Sequence, residues 1–180
     1  KYPVSLSRGA YWTGRAAEAG GDNSLASHWY RLAARHTTNF YGQMAANNLP
    51  LWERPPLPAE IPPSTQDIQA FDARELPRLA RQLAQLKAEK TLKRIMRHLA
   101  RQAESDVEFA LVARLAEDLG TPEHAVYTAR NAIKQGHLLT ESGYPILPAG
   151  AQELPVSLLM AIIRQESAFD RGAISHAGAR

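Results

Sequence analysis

The chain has no cysteine in its 180 residues, which excludes a disulfide scaffold, a thiolate metal site and a cysteine nucleophile. Aromatic residues make up only 7%, and no run of 18 apolar residues occurs, so no segment spans a bilayer as a helix. The histidines are few and scattered. His28, His36, His98, His124, His137 and His176 include no pair at ligand spacing on one helix, so no metal and no cofactor is expected. The chain opens on Lys1-Tyr2-Pro3, without an initiating Met or a signal-peptide pattern. Both ends read as cut edges, with any targeting segment expected to lie outside these residues.

What is present describes an ordinary soluble globular protein of one domain or one and a fraction, with 44% hydrophobic and 22% charged residues. The aliphatic residues are mostly Ala and Leu, which favours helix over sheet. A net charge of +3 suits an anionic polymer such as cell wall or nucleic acid, and suits plain solubility equally well.

Helical signals dominate. Ala10, Trp12, Ala16, Ala17 and Ala19 predict a first helix that Gly20-Gly21 stops. Asp22, Asn23 and Ser24 offer caps for a second, carrying Ala26, Trp29, Tyr30, Ala33 and Ala34. A third is predicted over about 39–48, with Phe40, Met44, Ala45 and Leu49 toward a core. Residues 50–63 then hold six of the twelve prolines, which forbids a helix and predicts a semi-rigid crossover in extended geometry.

Helices return from Thr65. Leu76, Leu79, Ala80, Leu83 and Leu86 share a helical spacing over 73–86, followed by Leu92, Ile95, Met96 and Leu99. Ser105 and Glu108 match a capping box for a helix that stops at Gly120, and Thr121-Pro122 starts the next, which ends at Gly136. Short helices with short turns predict an all-α fold, an α-superhelix of antiparallel helices. Lys87, Lys90, Arg94, Arg97 and Arg101 fall on one helix face, with Lys93 beside it. The preferred reading is a solvated outer face opposite Leu92, Ile95, Met96 and Leu99. A nucleic-acid surface is the alternative ranked last, and no nucleic-acid partner is expected.

The informative segment follows Glu153. Pro155 suits the first turn of a helix whose residues 156–163 are apolar nearly all round, which predicts burial in a domain core. Glu166 comes at its end. Partial burial and the negative end of the helix dipole would both favour the protonated form, the form a general acid needs. Asp170, four residues on, would face Glu166 in a glycosidase-like carboxylate pair if the helix continued; Ser167-Ala168-Phe169-Asp170 suits leaving the helix as well.

The string from Ala161 to Asp170, with Glu166-Ser167 at its centre, and then Ala173 to Arg180, with Ser175, Gly178 and Ala179 in the spacing Ser-x-x-Gly-Ala, resembles the first catalytic motif of the soluble lytic murein transglycosylase family. The Tyr11-Trp12 and Gly14-Arg15-Ala16 run, Trp29-Tyr30 with Ala33-Ala34, and Tyr41-Gly42 resemble that family's α-superhelical region, and Tyr144-Pro145 resembles its lead into the catalytic domain. The resemblance implies an α-superhelical domain over 1–144 and the first part of a lysozyme-like domain over 145–180. It implies a bacterial periplasmic enzyme acting on peptidoglycan glycan strands. In that family's reaction Glu166 would protonate the glycosidic oxygen between N-acetylmuramic acid and N-acetylglucosamine. It would then take the proton from the muramic 6-hydroxyl, so that a 1,6-anhydro ring closes and no water is consumed. Ser167 would orient Glu166, and Ser175 and Gly178 would shape the loop beside the cleft; the bland reading of Ser167 is a helix-end hydroxyl bonding backbone.

Arg171 stands where the family commonly has proline, and the 144–155 stretch, broken by Pro145, Pro148 and Gly150, is shorter than the usual lead-in. The family's next segment, Gly-Leu-Met-Gln, would follow Arg180, so residues 1–180 alone are expected to be inactive or nearly so. The alternative of a different class is a non-catalytic helical-repeat scaffold that binds cell wall or a protein through its concave face.

Overall fold

A computed structural model describes residues 2–146, 155–175, 177 and 178. Pro148, Gly150, Glu153, His176, Ala179 and Arg180 of the sequence reading lie outside the described residues. The described residues are all-α: α1 (Pro3–Ala19), α2 (Asn23–Ala34), α3 (Phe40–Asn47), α4 (Thr65–Asp72), α5 (Glu75–Gln85), α6 (Glu89–Gln102), α7 (Asp106–Asp118), α8 (Pro122–Lys134) and α9 (Val156–Glu166), with one 3₁₀ turn at Leu51–Glu53. They divide into two compact units, Lys1–Pro58 and Ala59–Arg180, and the division falls inside the proline-rich stretch.

The first unit is built from α1–α3. Tyr30 of α2 is buried beside Tyr11 of α1, and Ala26, Ala33, Ala34 and Ala45 bring the helices close because a methyl takes little room. Asp22 caps α2 by accepting from the backbone N–H of Leu25 at 2.9 Å, a bond of about 1 kcal/mol. Leu49 reaches the core as expected, whereas Phe40 is 68% exposed and Trp12 also faces outward. Periodicity placed Phe40 correctly on a helix; the half-buried Tyr41 next to it packs on Tyr11, and Phe40 faces out.

The second unit packs around α7, where Phe109, Leu111, Val112 and Leu115 are buried on all sides together with Phe71, Leu92, Met96 and Leu99. The middle of α7 is apolar over most of its surface and has neighbours to match, while Arg114 is half-buried and Glu117 and Asp118 are exposed. α5 begins at Glu75, two residues later than periodicity suggests, because α4 ends at Asp72. The capping box predicted at Ser105 is half formed. Its hydroxyl accepts from Glu108 N–H at 3.2 Å, but the Glu108 carboxylate takes the N–H of Glu104 instead. A complete box stands at Ser64 and Asp67, opening α4.

The basic face is narrower than predicted. Lys87 precedes α6 in a turn with φ 54°, leaving Lys90, Arg94, Arg97 and Arg101 as an exposed row opposite buried Leu92, Met96 and Leu99. Past the division, the end of the proline-rich stretch is tied to residues 141–142 of the same unit. Its Glu60 carboxylate accepts from Glu141 N–H (2.9 Å), Ser142 N–H (3.1 Å) and the Ser142 hydroxyl (2.6 Å).

Candidate active site

Glu60 thus pins residues 141–142, and the chain runs on through Gly143 and Tyr144. Gly143 lies so close to the helical layer that a Cβ there would stand 2.5 Å from the Ala129 methyl and 2.7 Å from the Leu139 carbonyl oxygen. This close approach places Tyr144 against α9. The Arg164 guanidinium sits 4.0 Å from the Tyr144 ring centroid and donates to the Gly143 carbonyl. Burial pulls the Arg164 pKa below the ordinary arginine value; Tyr144 opposes this and Arg130 adds to it. From α8, Arg130 donates to the Arg164 carbonyl oxygen at 3.1 Å.

α9 is not the buried core helix that its composition predicts. Leu159, Met160, Ile163 and Arg164 are half-buried, while Val156, Leu158 and Ile162 are each close to half exposed. Composition reveals that a helix is apolar on every face, not which neighbours stand opposite; among the described residues α9 has them on one side. Glu166 follows on the open side. It is exposed, so the partial burial expected of its carboxylate is absent. The helix ends with it, placing it in the last turn beside the negative end of the dipole, as expected.

The chain then leaves the helix. Ser167 is the C-cap, and its hydroxyl donates to the Ile163 carbonyl at 3.2 Å, the backbone bond anticipated as the bland reading. Ala168 (φ 52°) and Phe169 (φ 66°) follow, both left-handed without being glycine, at a cost of about 1–2 kcal/mol each. Phe169 offsets this by burial, at 3% exposed. Asp170 therefore does not pair with Glu166. Its carboxylate lies 3.7 Å from Lys93 Nζ and accepts from Gly172 N–H at 2.9 Å.

Ser175 and Gly178 are brought together. The Gly178 N–H donates to the Ser175 carbonyl at 2.9 Å, and Gly178 has φ 81°. The Ser-x-x-Gly spacing is thus a four-residue turn whose last position needs glycine's freedom.

Two cavities flank the buried Phe169. One, about 470 Å³, is lined by Glu89, Lys90, Lys93, Glu123, His124 and Asp170 among others. The other, about 720 Å³ and largely apolar, includes Tyr144, Ile146, Met160 and Arg164. Both volumes lie in the range of small-molecule sites, yet Glu166 lines neither. His124 is 6% exposed, and its pKa is pushed down to about 4 by burial first, then by Lys93 and Arg97, with Asp170 opposing. Burial raises the carboxyl of the adjacent Glu123. Among the described residues no three His, Asp or Glu side chains gather as a metal site requires, and no helix is long and apolar enough to cross a membrane.

Sequence reasoning singled out Glu166, Ser167, Ser175 and Gly178, and named Tyr144 only as part of the lead into the domain, but gave no role to Arg164 or Arg130. Arg164 carried a usable signal, since it is the one cation of α9 and follows directly on its apolar run. Arg130 carried none. Known proteins were compared with the chain as well, and no curated protein and no solved structure matches it. The family model of the transglycosylase SLT domain matches residues 144–180, the segment running from Tyr144 through α9 to the Ser175–Gly178 turn, and it agrees with the lytic transglycosylase family that the Glu166-Ser167 motif resembles.

Proposed function

We propose that residues 145–180 open the catalytic domain of a peptidoglycan lytic transglycosylase, that Glu166 is its acid and base, and that the enzyme works in the periplasm. The match of 144–180 to the transglycosylase domain family carries this reading. Glu166 at the open end of α9, ahead of a strained elbow held by a buried Phe169, supports it, since strained backbone concentrates at functional sites.

In the proposed reaction Glu166 protonates the oxygen linking N-acetylmuramic acid to N-acetylglucosamine, and the C1–O bond breaks. The Glu166 carboxylate then accepts the proton of the muramic 6-hydroxyl as that oxygen bonds to C1. A 1,6-anhydro end forms, and the acid is regenerated without water. A single carboxylate suffices, which agrees with Asp170 being turned toward Lys93.

The test is digestion of purified peptidoglycan by the complete natural chain and by its Glu166→Gln variant, with products identified by mass spectrometry. Anhydro ends from the wild type alone are expected. Reducing ends would make it a hydrolase. A second reading, a non-catalytic helical scaffold, draws on the exposure of Glu166 and on its lining neither cavity. Wall binding without product in either version would favour it.

A further inference from the structure

Among the described residues nothing hydrogen-bonds or ion-pairs with the Glu166 carboxylate, so its direction is inherited from the backbone that carries it. That backbone is unusual. Immediately after Glu166 and its C-cap, two successive residues sit in the left-handed region without glycine. Such a conformation persists only where the surroundings enforce it.

The enforcement comes from three groups on three sides. Before Glu166, Arg130 of α8 donates to the Arg164 carbonyl at 3.1 Å. This oxygen belongs to the last turn of α9, where carbonyls lack partners within the helix, and a cation there also opposes the dipole. After Glu166, Lys93 of α6 lies 3.7 Å from the Asp170 carboxylate, which in turn holds the Gly172 N–H. Between them Phe169 is inserted and buried. Arg130, Lys93, Ser167, Ala168 and Asp170 line one small cavity of about 160 Å³ with Tyr127, so the two cations flank the same elbow.

We infer that Arg130 and Lys93, contributed by helices outside the matched segment, are positioning residues for Glu166: they bracket the elbow and set where its carboxylate points. The inference rests on the proposed role of Glu166. Neither side chain is a core residue; both are exposed, and an exposed ion pair such as Lys93–Asp170 adds little to stability. Their contribution is therefore to geometry, where a misplacement of about 1 Å costs on the order of a hundredfold in rate.

The experiment compares the complete natural chain with Arg130→Met, Lys93→Met, Arg130→Lys and Glu166→Gln on soluble, uncrosslinked peptidoglycan strands. For each methionine variant kcat is expected to fall about ten- to a hundredfold, with KM changed less than about threefold and the thermal midpoint unchanged. Arg130→Lys, which keeps a donor and a charge, is expected to recover part of the loss. Values of kcat within about twofold of wild type for both methionine variants, beside an inactive Glu166→Gln, would overturn the inference and leave the function standing. A fall in kcat matched by a fall in thermal midpoint would also overturn it, because it would mark a merely structural role. Full activity in Glu166→Gln would instead remove the proposed function itself.

Discussion

The carboxylate of Glu60 grips Ser142 at two points, accepting its backbone N–H at 3.1 Å and its hydroxyl at 2.6 Å, across 82 residues of chain. The same carboxylate takes the N–H of Glu141. These bonds join the proline-rich stretch to the residues just before Gly143 and Tyr144, and so to the seat of α9. Glu60→Ala is expected to lower the stability of this unit by about 1–2 kcal/mol, a partly exposed charge-assisted set counted below its buried value. Glu60→Gln, whose amide can accept from both N–H groups and donate to the hydroxyl, should lose less than half as much. Urea unfolding of the three proteins checks the order.

Tyr144 holds α9 through the Arg164 guanidinium above its ring. Tyr144→Leu keeps apolar contact but removes the ring's negative face, at an expected cost of about 0.5–1 kcal/mol. The loss should be local. Amide exchange in α9 is expected to speed several-fold while that of the buried middle of α7 stays unchanged, because exposed elements open independently of the core. Equal acceleration in both helices would contradict the docking role.

The elbow after Glu166 yields a pair of opposite expectations. Ala168 at φ 52° is strained, so Ala168→Gly relieves about 1–2 kcal/mol and gives back somewhat less through the freer unfolded chain. Its thermal midpoint should be unchanged or slightly raised. Phe169→Ala keeps the strain, loses a buried ring and is expected to cost about 3 kcal/mol. A destabilised Ala168→Gly would show that the elbow is not strained in solution.

These positions also mark what the sequence discloses. Helix ends were legible because Gly120 and Gly136 adopt positive φ and Pro122 stands in the first turn of α8, each a local cause with a local sign. The burial of α9 was misjudged for a physical reason. All-round apolarity states a demand for neighbours, and only the fold shows whether they are met. Phe40 faced the core on a helical wheel, yet Tyr41 occupies that space. Within the candidate site, Glu166 and the Ser175–Gly178 turn could be read from a short motif. The contacts on the neighbouring chain, at residues 141–142, the Arg164 carbonyl and Asp170, could not, since Glu60, Arg130 and Lys93 come from elements far away in sequence and resemble any other surface charge. The left-handed elbow at Ala168 and Phe169 carried no glycine or asparagine to announce it.

His124 supplies a pH test that needs no substrate. Buried between Lys93 and Arg97, with Asp170 and Glu123 near it, its imidazole has a pKa pushed from the ordinary 6.5 down to about 4. As pH falls below 6.5 the unfolded chain takes up a proton that the folded chain refuses, so stability drains away until pH reaches about 4, by up to about 3 kcal/mol. Glu123 works against this. Its raised carboxyl protonates more readily in the folded chain, which returns some stability as the pH falls toward its ordinary value. Urea unfolding of the wild type and of His124→Leu between pH 4 and 7 should give curves that diverge as the pH rises above about 4 and run parallel above about 6.5, since the variant lacks the titrating group. Parallel curves over the whole range would mean that His124 takes up its proton as readily in the folded chain as in the unfolded one.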